Sequence, residues 1–454
     1  MNRFRTLLIA LTLFLSGSAV AQLPSAYAQR LQTVFDSTCA RYKIRGASAA
    51  VMVPGVGIWR SAYGTSHAGV PIDTNMVFGY GSNTKTYIAV LLLKLQEQNL
   101  LDLDDSIGTW IHNVPNVKGT ITVRQLLNHT SGLANYTEND RYGDSLSADY
   151  NRIWVPEAMY QFIDTPLFAP GAGWSYSNTN FLLAGIIIKS ITGLSTEAAL
   201  RQMLLTPQGL QKTYYFPQET PLGAFPHQWQ WVGTISYDIT DFGYVPDGFL
   251  STASGAGALV GTADANVRFW QKLVSGALLN PASMAELKDA VRINTATGYG
   301  LGIFRIRNYN GHVAYSHGGT QPGFINENLA DSVTNVAISV LTNQDSISNN
   351  LLSNTVVAAL HKVTNNPPLS VTNWTPLQVA EVYPNPSTDK LMVQNSPDAT
   401  AYTLTDWSGK TIASGVLNGA LPEVSVAALP NGYYLLTLSA KDIPVAQARI
   451  TVVH

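Results

Sequence analysis

The sequence predicts two folded units in series: a mixed α/β (α+β) domain, then a small all-β sandwich. Three observations predict this. Apolar strand patterns at Gly46–Val53 and Gly57–Tyr63 flank a Pro54-Gly55 turn, and a run that is apolar almost all round, Tyr87–Leu95, follows as a buried helix. Strand patterns return at Gly300–Arg307, Val313–Ser316 and Val336–Thr342 before a final helix over about Ile347–His361. From Leu377 onward the chain changes to short alternating runs separated by turns, the signature of a small sandwich.

The elements follow in order. Arg3 and Arg5, an apolar run Leu7–Leu15 and Ala19-Val20-Ala21 read as a signal peptide over residues 1–21. No later run approaches the ~20 apolar residues that span a bilayer, so an exported protein without a transmembrane segment is expected. An amphipathic helix opens the mature chain, with Leu31, Val34 and Phe35 on one face. Asp104 and Asp105 read as a solvated helix end and the cap of the next turn. Thr122–Leu133 reads as a short helix with a threonine cap and a glycine stop at Gly132.

Residues 134–173 are irregular, and Tyr136, Tyr142, Tyr150, Trp154 and Tyr160 lie along them. They read either as an aromatic-lined cleft or as the packing of a small helical subdomain. A polar loop Gly173–Asn180 leads into an apolar helix Phe181–Ile191, and another helix runs through Phe269, Trp270 and Leu273. Asn365-Asn366-Pro367-Pro368 and Thr375-Pro376 mark a linker, placed at residues 363–376. The domains expected are therefore 22–362 and 377–454.

Composition excludes several function classes. A formal net charge of −2 and 12% charged residues, without a Lys/Arg block, give no nucleic-acid or acidic-membrane signature. The one cysteine, Cys39, excludes an intrachain disulfide and a cysteine-rich metal site, and reads as a small buried residue. No His-Glu-x-x-His spacing points to a metal, so neither metal nor cofactor is expected.

The chemistry is carried by Gly81-Ser82-Asn83-Thr84-Lys85, which opens the buried helix. Lys85 lies one turn after Ser82 on the same face. A serine hydroxyl is a weak nucleophile until a base takes its proton, and a lysine whose pKa is lowered by burial can be that base. The spacing alone also fits a capping serine beside a lysine that snorkels to water. A second copy, Ser387-Thr388-Asp389-Lys390, follows Asn385-Pro386 without a helix behind it and reads as a solvated turn.

Two further fragments complete the pattern. Tyr176-Ser177-Asn178 supplies a phenol and an amide, and His317-Gly318-Gly319-Thr320 follows a strand, where glycines let a substrate backbone approach the sheet. In these three ordered motifs, and in Leu126–Leu133 and Tyr299-Gly300-Leu301-Gly302, the chain resembles the serine β-lactamase and DD-carboxypeptidase family, with its related esterases. The resemblance covers roughly residues 25–362. It implies a β-lactamase-like antiparallel sheet flanked by helices, with a helical subdomain. It also implies Ser82 as nucleophile, Lys85 and Tyr176 as general base and acid, and Asn178 against the substrate amide. Backbone N–H groups of Ser82 and Thr320 would form the oxyanion hole, and His317 and Gly319 would complete the substrate site. His317-Gly318-Gly319 departs from the commonest form, Lys-Thr-Gly: a histidine carries less positive charge, and Gly318 lacks the hydroxyl that helps hold a carboxylate.

The tail resembles the type IX secretion sorting domain of Bacteroidota through Val382–Ser387, Asp406-x-x-Gly409-Lys410 and Asn431-Gly432-Tyr433-Tyr434, with an Ig-like sandwich implied. That implies outer-membrane secretion machinery as a partner and a secreted or cell-surface destination. The expected function is a secreted serine hydrolase forming an acyl-enzyme with D-amino-acid peptides or β-lactams. The alternatives are an esterase of the same fold and a non-catalytic binder of peptidoglycan fragments.

Overall fold

The fold is that of a computed structural model, which describes residues 23–232, 235–345, 351–365, 378–394, 399–406, 411–417, 421–440 and 443–454. The signal peptide and most of the linker expected from the sequence lie outside the described residues. The chain divides into two compact units, residues 1–366 and 367–454.

The first unit is organised by an antiparallel sheet. The opening hairpin Gly46–Val53/Gly57–His67 pairs through its first strand with a late one, Ala337–Thr342, in a register that sets Ala47 opposite Thr342. Next come Phe324–Asp331, His312–Ser316, Phe304–Tyr309, Thr297–Tyr299 and Val291–Arg292, with Gly319–Gln321 also paired to Phe324–Asp331. Side chains alternate across a strand, and the two faces accordingly serve two cores. Ala49 and Val51 pack with Tyr27, Leu31 and Phe35 of the helix Ser25–Arg41 and with Val356 and Leu360 of the helix Leu351–Asn365. Ala50, Ile58 and Leu341 face the other way, into the core that the helix Ala263–Val274 shares with the Ser82 helix.

That helix, Thr84–Glu97, is buried from Thr84 to Leu93 and again at Leu95, as its all-round apolar pattern predicts. The strand Phe324–Asp331 is different. All eight residues are buried, yet Asn326, Glu327, Asn328 and Asp331 are polar, so no alternation announces it in the sequence. Its polar side chains are internal ties. Asp331 Oδ2 accepts from His312 Nδ1 at 2.6 Å and from His361 Nε2 at 2.9 Å, which pins the last helix to the sheet.

Several boundaries shift. The Thr122 cap forms a reciprocal capping box with Gln125, but the helix ends at Leu127, because His129 turns left-handed (φ 62°) before Gly132 is reached. The final helix runs on to Asn365, so the first three residues assigned to the linker continue it. Tyr136, Tyr142 and Trp154 are buried in the main core, which favours the packing reading of the 134–173 region. Asp104 pairs with Arg124, and Asp105 accepts the Asp102 N–H.

Among its described residues, the second unit holds two small sheets. One orders Gln378–Val379, Ile443–Val452, Gly432–Ala440, Ala401–Thr405 and Thr411–Val416; the other orders Glu381–Tyr383, Lys390–Gln394 and Glu423–Ser425. Leu391, Val393, Leu404, Leu436 and Ile450 share their core. Ser387 is buried rather than solvated, with its hydroxyl on the Lys390 carbonyl, while the exposed Lys390 ammonium pairs with Glu423.

Candidate active site

Ser82 sits in a single 3-10 turn, Gly81–Asn83, that runs straight into its helix. Gly81 adopts φ 49°, and a Cβ there would lie 2.9 Å from the backbone N and O of Thr320. A Cβ at Gly319 would strike the Tyr80 carbonyl and come within 2.9 Å of Ser82 N. The two glycines therefore let the Ser82 turn and the 319–321 strand lie directly against each other. This contact brings the Ser82 and Thr320 backbones to one place.

Lys85 is fully buried. Its Nζ lies 3.0 Å from Ser82 Oγ, 2.7 Å from Asn178 Oδ1 and 2.8 Å from the Ala256 carbonyl. Burial alone holds its pKa well below the usual lysine range. A neutral amine has two hydrogens and one lone pair. Asn178 and Ala256 accept the two hydrogens, so the lone pair is left for the Ser82 hydroxyl. Once protonated, the ammonium still has three acceptors.

Tyr176, of the second motif, comes from the loop before the helix Asn178–Thr192. Its ring lies 4.9 Å from Lys85 Nζ. Burial raises the phenol above its usual range, and a hydrogen bond with Ser82 opposes that rise. Asn178 is turned inward. Its oxygen accepts from Lys85, and its amide nitrogen donates to Thr137 Oγ1 at 3.0 Å. In this arrangement Asn178 orients the lysine.

His317 is held on both ring nitrogens. Its Nδ1 lies 2.7 Å from the Gly318 carbonyl, so Nδ1 must donate, and Nε2 accepts from the Tyr299 hydroxyl at 3.0 Å. Burial, helped by the nearby Lys85 and opposed by the Gly318 hydrogen bond, takes its pKa down to about 3. It is a neutral, fully engaged imidazole rather than a cationic partner for a carboxylate.

His129 escaped the sequence reading, although it stands in the Leu126–Leu133 stretch. It is buried, and its Nδ1 accepts from Asn180 Nδ2 at 2.9 Å and Ser177 N at 3.3 Å. Its ring centroid lies 4.3 Å from that of Tyr176, so it backs the phenol. Burial first, then Lys85 and His317, hold it neutral. Gly302 closes the back of the site. At φ 67°, with a would-be Cβ only 2.8 Å from the Lys85 carbonyl, it lets the Tyr299–Gly302 segment pack onto the Ser82 helix.

Ser82, Tyr176, His317, Gly319 and Thr320 all border one cleft of about 730 Å³. Glu327, Tyr309 and, from the last helix, Asn354 and Thr355 also line it. Glu327 is buried, which pushes its carboxyl up to about 8 against a hydrogen bond from Ser316. Neither Ser387 nor Lys390 contributes to this cleft.

Comparison with known proteins agrees with this geometry. Residues 27–361 match the Beta-lactamase family, and residues 381–452 match the Secretion system C-terminal sorting domain. The chain is 29% identical over 332 residues to penicillin-binding protein 4 of Amycolatopsis lactamdurans, covering 69% of this chain and 84% of that one. It is 29% identical over 217 residues to esterase EstB of Burkholderia gladioli, covering 45% and 55%. Among solved structures, a D-stereospecific amidohydrolase from Streptomyces sp. aligns with a TM-score of 0.64 at 27% identity, over 73% of this chain and 98% of that one. The D-amino acid amidase of Ochrobactrum anthropi SV3, complexed with D-phenylalanine, aligns with a TM-score of 0.67 at 25% identity, over 76% and 100%. The sorting domain indicates export, with a secreted or cell-surface location, and implies contact with the secretion machinery. Among the described residues no single helix is long and apolar enough to cross a membrane. With a family match over most of its length and a buried lysine against a helix-opening serine, the chain belongs to the beta-lactamase family of serine hydrolases, joined to a type IX sorting domain.

Proposed function

We propose that this protein hydrolyses amide or ester bonds of small D-amino-acid derivatives through an acyl-enzyme on Ser82. The observation that carries the reading is the buried Lys85 Nζ, 3.0 Å from Ser82 Oγ and lowered in pKa, within the reach a general base needs. In acylation Ser82 Oγ bonds to the substrate carbonyl carbon and its proton passes to Lys85. The oxyanion forms beside the Ser82 and Thr320 backbone N–H groups, an arrangement in which one donor is typically worth ~10²–10³ in kcat. Tyr176, kept protonated by burial, gives its proton to the departing nitrogen or oxygen as that bond breaks, and Lys85 returns one to the phenol. Water then attacks the acyl group by the reverse proton path.

The neutral His317 favours amidase or esterase chemistry over a DD-carboxypeptidase or β-lactamase, whose substrates bring a carboxylate into the site. The amidohydrolase and D-amino acid amidase among the similar structures support the same reading. The test is kcat/KM on D- and L-phenylalanine amide, a short-chain p-nitrophenyl ester, a D-Ala-D-Ala peptide and a chromogenic cephalosporin. The reading expects the D-amide or the ester to lead by at least about tenfold, a 1.4 kcal/mol preference. A lead for the D-Ala-D-Ala peptide would return the carboxypeptidase reading, and binding without turnover of any substrate would mark a non-catalytic receptor.

A further inference from the structure

The wall of the cleft that Ser82 borders carries a carboxyl group that the chemistry above does not use. Glu327 lies on the strand Phe324–Asp331, and a Cβ placed on Gly318 would sit 2.5 Å from Glu327 Oε2. The carboxyl therefore occupies the space that a side chain at the middle position of the third motif would fill. Gly318 and Glu327 are one feature: the middle position of the motif carries no side chain, and an acid occupies that space.

Among the described residues, the groups around Glu327 offer a hydrogen bond from Ser316, the Tyr309 phenol and the last helix's Asn354 and Thr355, but no cationic partner. A buried carboxyl without a cationic partner is costly to ionise, and burial pushes this one up to about 8. Because it borders the open cleft, the missing charge can come from a ligand. A carboxylate ligand would instead meet a like charge or lone pair in a poorly solvated wall.

We propose that Glu327, seated over Gly318 in the cleft that holds Ser82, is a specificity-determining residue that receives an ammonium group of the substrate and disfavours a carboxylate. The proposal deepens the hydrolase reading and rests on it for the word substrate. It names amino acid amides, esters or other amine-bearing acyl compounds as the class this cleft takes.

The test needs no turnover. Dissociation constants of n-butylammonium, n-butanol and butyrate are measured by ligand-observed NMR on the full-length protein, for wild type and Glu327→Gln. Wild type is expected to bind n-butylammonium at least about tenfold more tightly than either other ligand, and Glu327→Gln to bring the amine and the alcohol within about twofold. Equal affinities in wild type, a preference for butyrate, or an amine preference that survives in Glu327→Gln would each overturn the proposal. Where Glu327→Gln fails to fold by circular dichroism, the wild-type comparison still decides. Loss of all Ser82 chemistry would sink the hydrolase reading yet leave these constants unchanged, so the two failures are distinguishable.

Discussion

The side-chain amide of Asn326 donates to the Gly319 carbonyl at 3.2 Å, and the same nitrogen lies 3.0 Å from the Tyr80 carbonyl. One side chain thereby ties the strand that carries Thr320 to the turn that presents Ser82. Its own oxygen accepts from Asn328 at 2.9 Å, whose nitrogen also reaches the His317 carbonyl. The proposed oxyanion slot is held by a buried polar chain, which is expected to rigidify it as long as every member is paired.

Asn326→Ala is therefore expected to lower both stability and turnover. Unpairing buried carbonyls costs ~1–3 kcal/mol in typical cases, and loosening the slot should reduce kcat by about tenfold or more with a smaller change in KM. Urea unfolding and ester hydrolysis read the two effects. A variant that loses stability at unchanged kcat would show that the tie serves only the fold.

A second prediction concerns pH and stability. His317 has a folded pKa of about 3, below the ~6.5 of an unfolded histidine. The unfolded chain thus binds the extra proton. The stability tied to the neutral imidazole is complete above pH ~6.5 and is lost as pH falls towards the folded value. His317→Gln should flatten the stability profile between about pH 6.5 and 5 by up to ~1.4 kcal/mol per pH unit, one proton's worth. Parallel stability profiles for the two proteins across that window would show that folding does not lower the His317 pKa.

The contact between Gly318 and Glu327 predicts a coupled pair. Gly318→Thr places a Cβ against the carboxyl and should destabilise by ~1–3 kcal/mol, as overpacking does. Glu327→Ala opens the space, so the double variant should recover most of that loss. Additive effects in a double-mutant cycle would contradict the contact.

How far these relationships could be read in advance depended on whether the residues followed apolar patterning. The Ser82 helix was legible because Tyr87–Leu95 is apolar on nearly every face and is buried in that way. The strand Gly46–Val53 was legible to the residue, since a short apolar run bounded by a Pro-Gly turn has few other uses. Phe324–Asp331 was invisible because its buried positions are filled by Asn326, Glu327, Asn328 and Asp331, whose burial is justified only by partners far away in sequence. For the same reason the inward turn of Asn178 had no sequence signal, and for His317 the sequence showed only that a histidine carries less charge than a lysine, not the partners that fix it. Each is set by a neighbour: Lys85 for one, Gly318 and Tyr299 for the other. His129 had a weak signal in the Asn-His-Thr-Ser-Gly run, but its role depends on a left-handed backbone that places its ring on Tyr176.

Removing the tail should leave the hydrolase intact. The cleft is built entirely from residues 82–358, inside the first compact unit. A chain ending at Asn366 is expected to keep kcat/KM within about twofold on a p-nitrophenyl ester while losing export, an effect far below a one-decade loss. A truncated protein with native circular dichroism but no activity would place part of the site in the tail.

The account turns on Lys85 as the base for Ser82, and the rate of Ser82 modification by a fluorophosphonate against pH tests it most directly. Wild type should be labelled at Ser82 and not at Ser387, as read by peptide mass mapping. Its rate should rise along one ionisation well below the ~10.4 of a free lysine, because only the neutral amine can take the proton. Lys85→Met should slow labelling by roughly 10²-fold or more and abolish that ionisation. An adduct on another serine, or a labelling rate and pH profile unchanged in Lys85→Met, would contradict it.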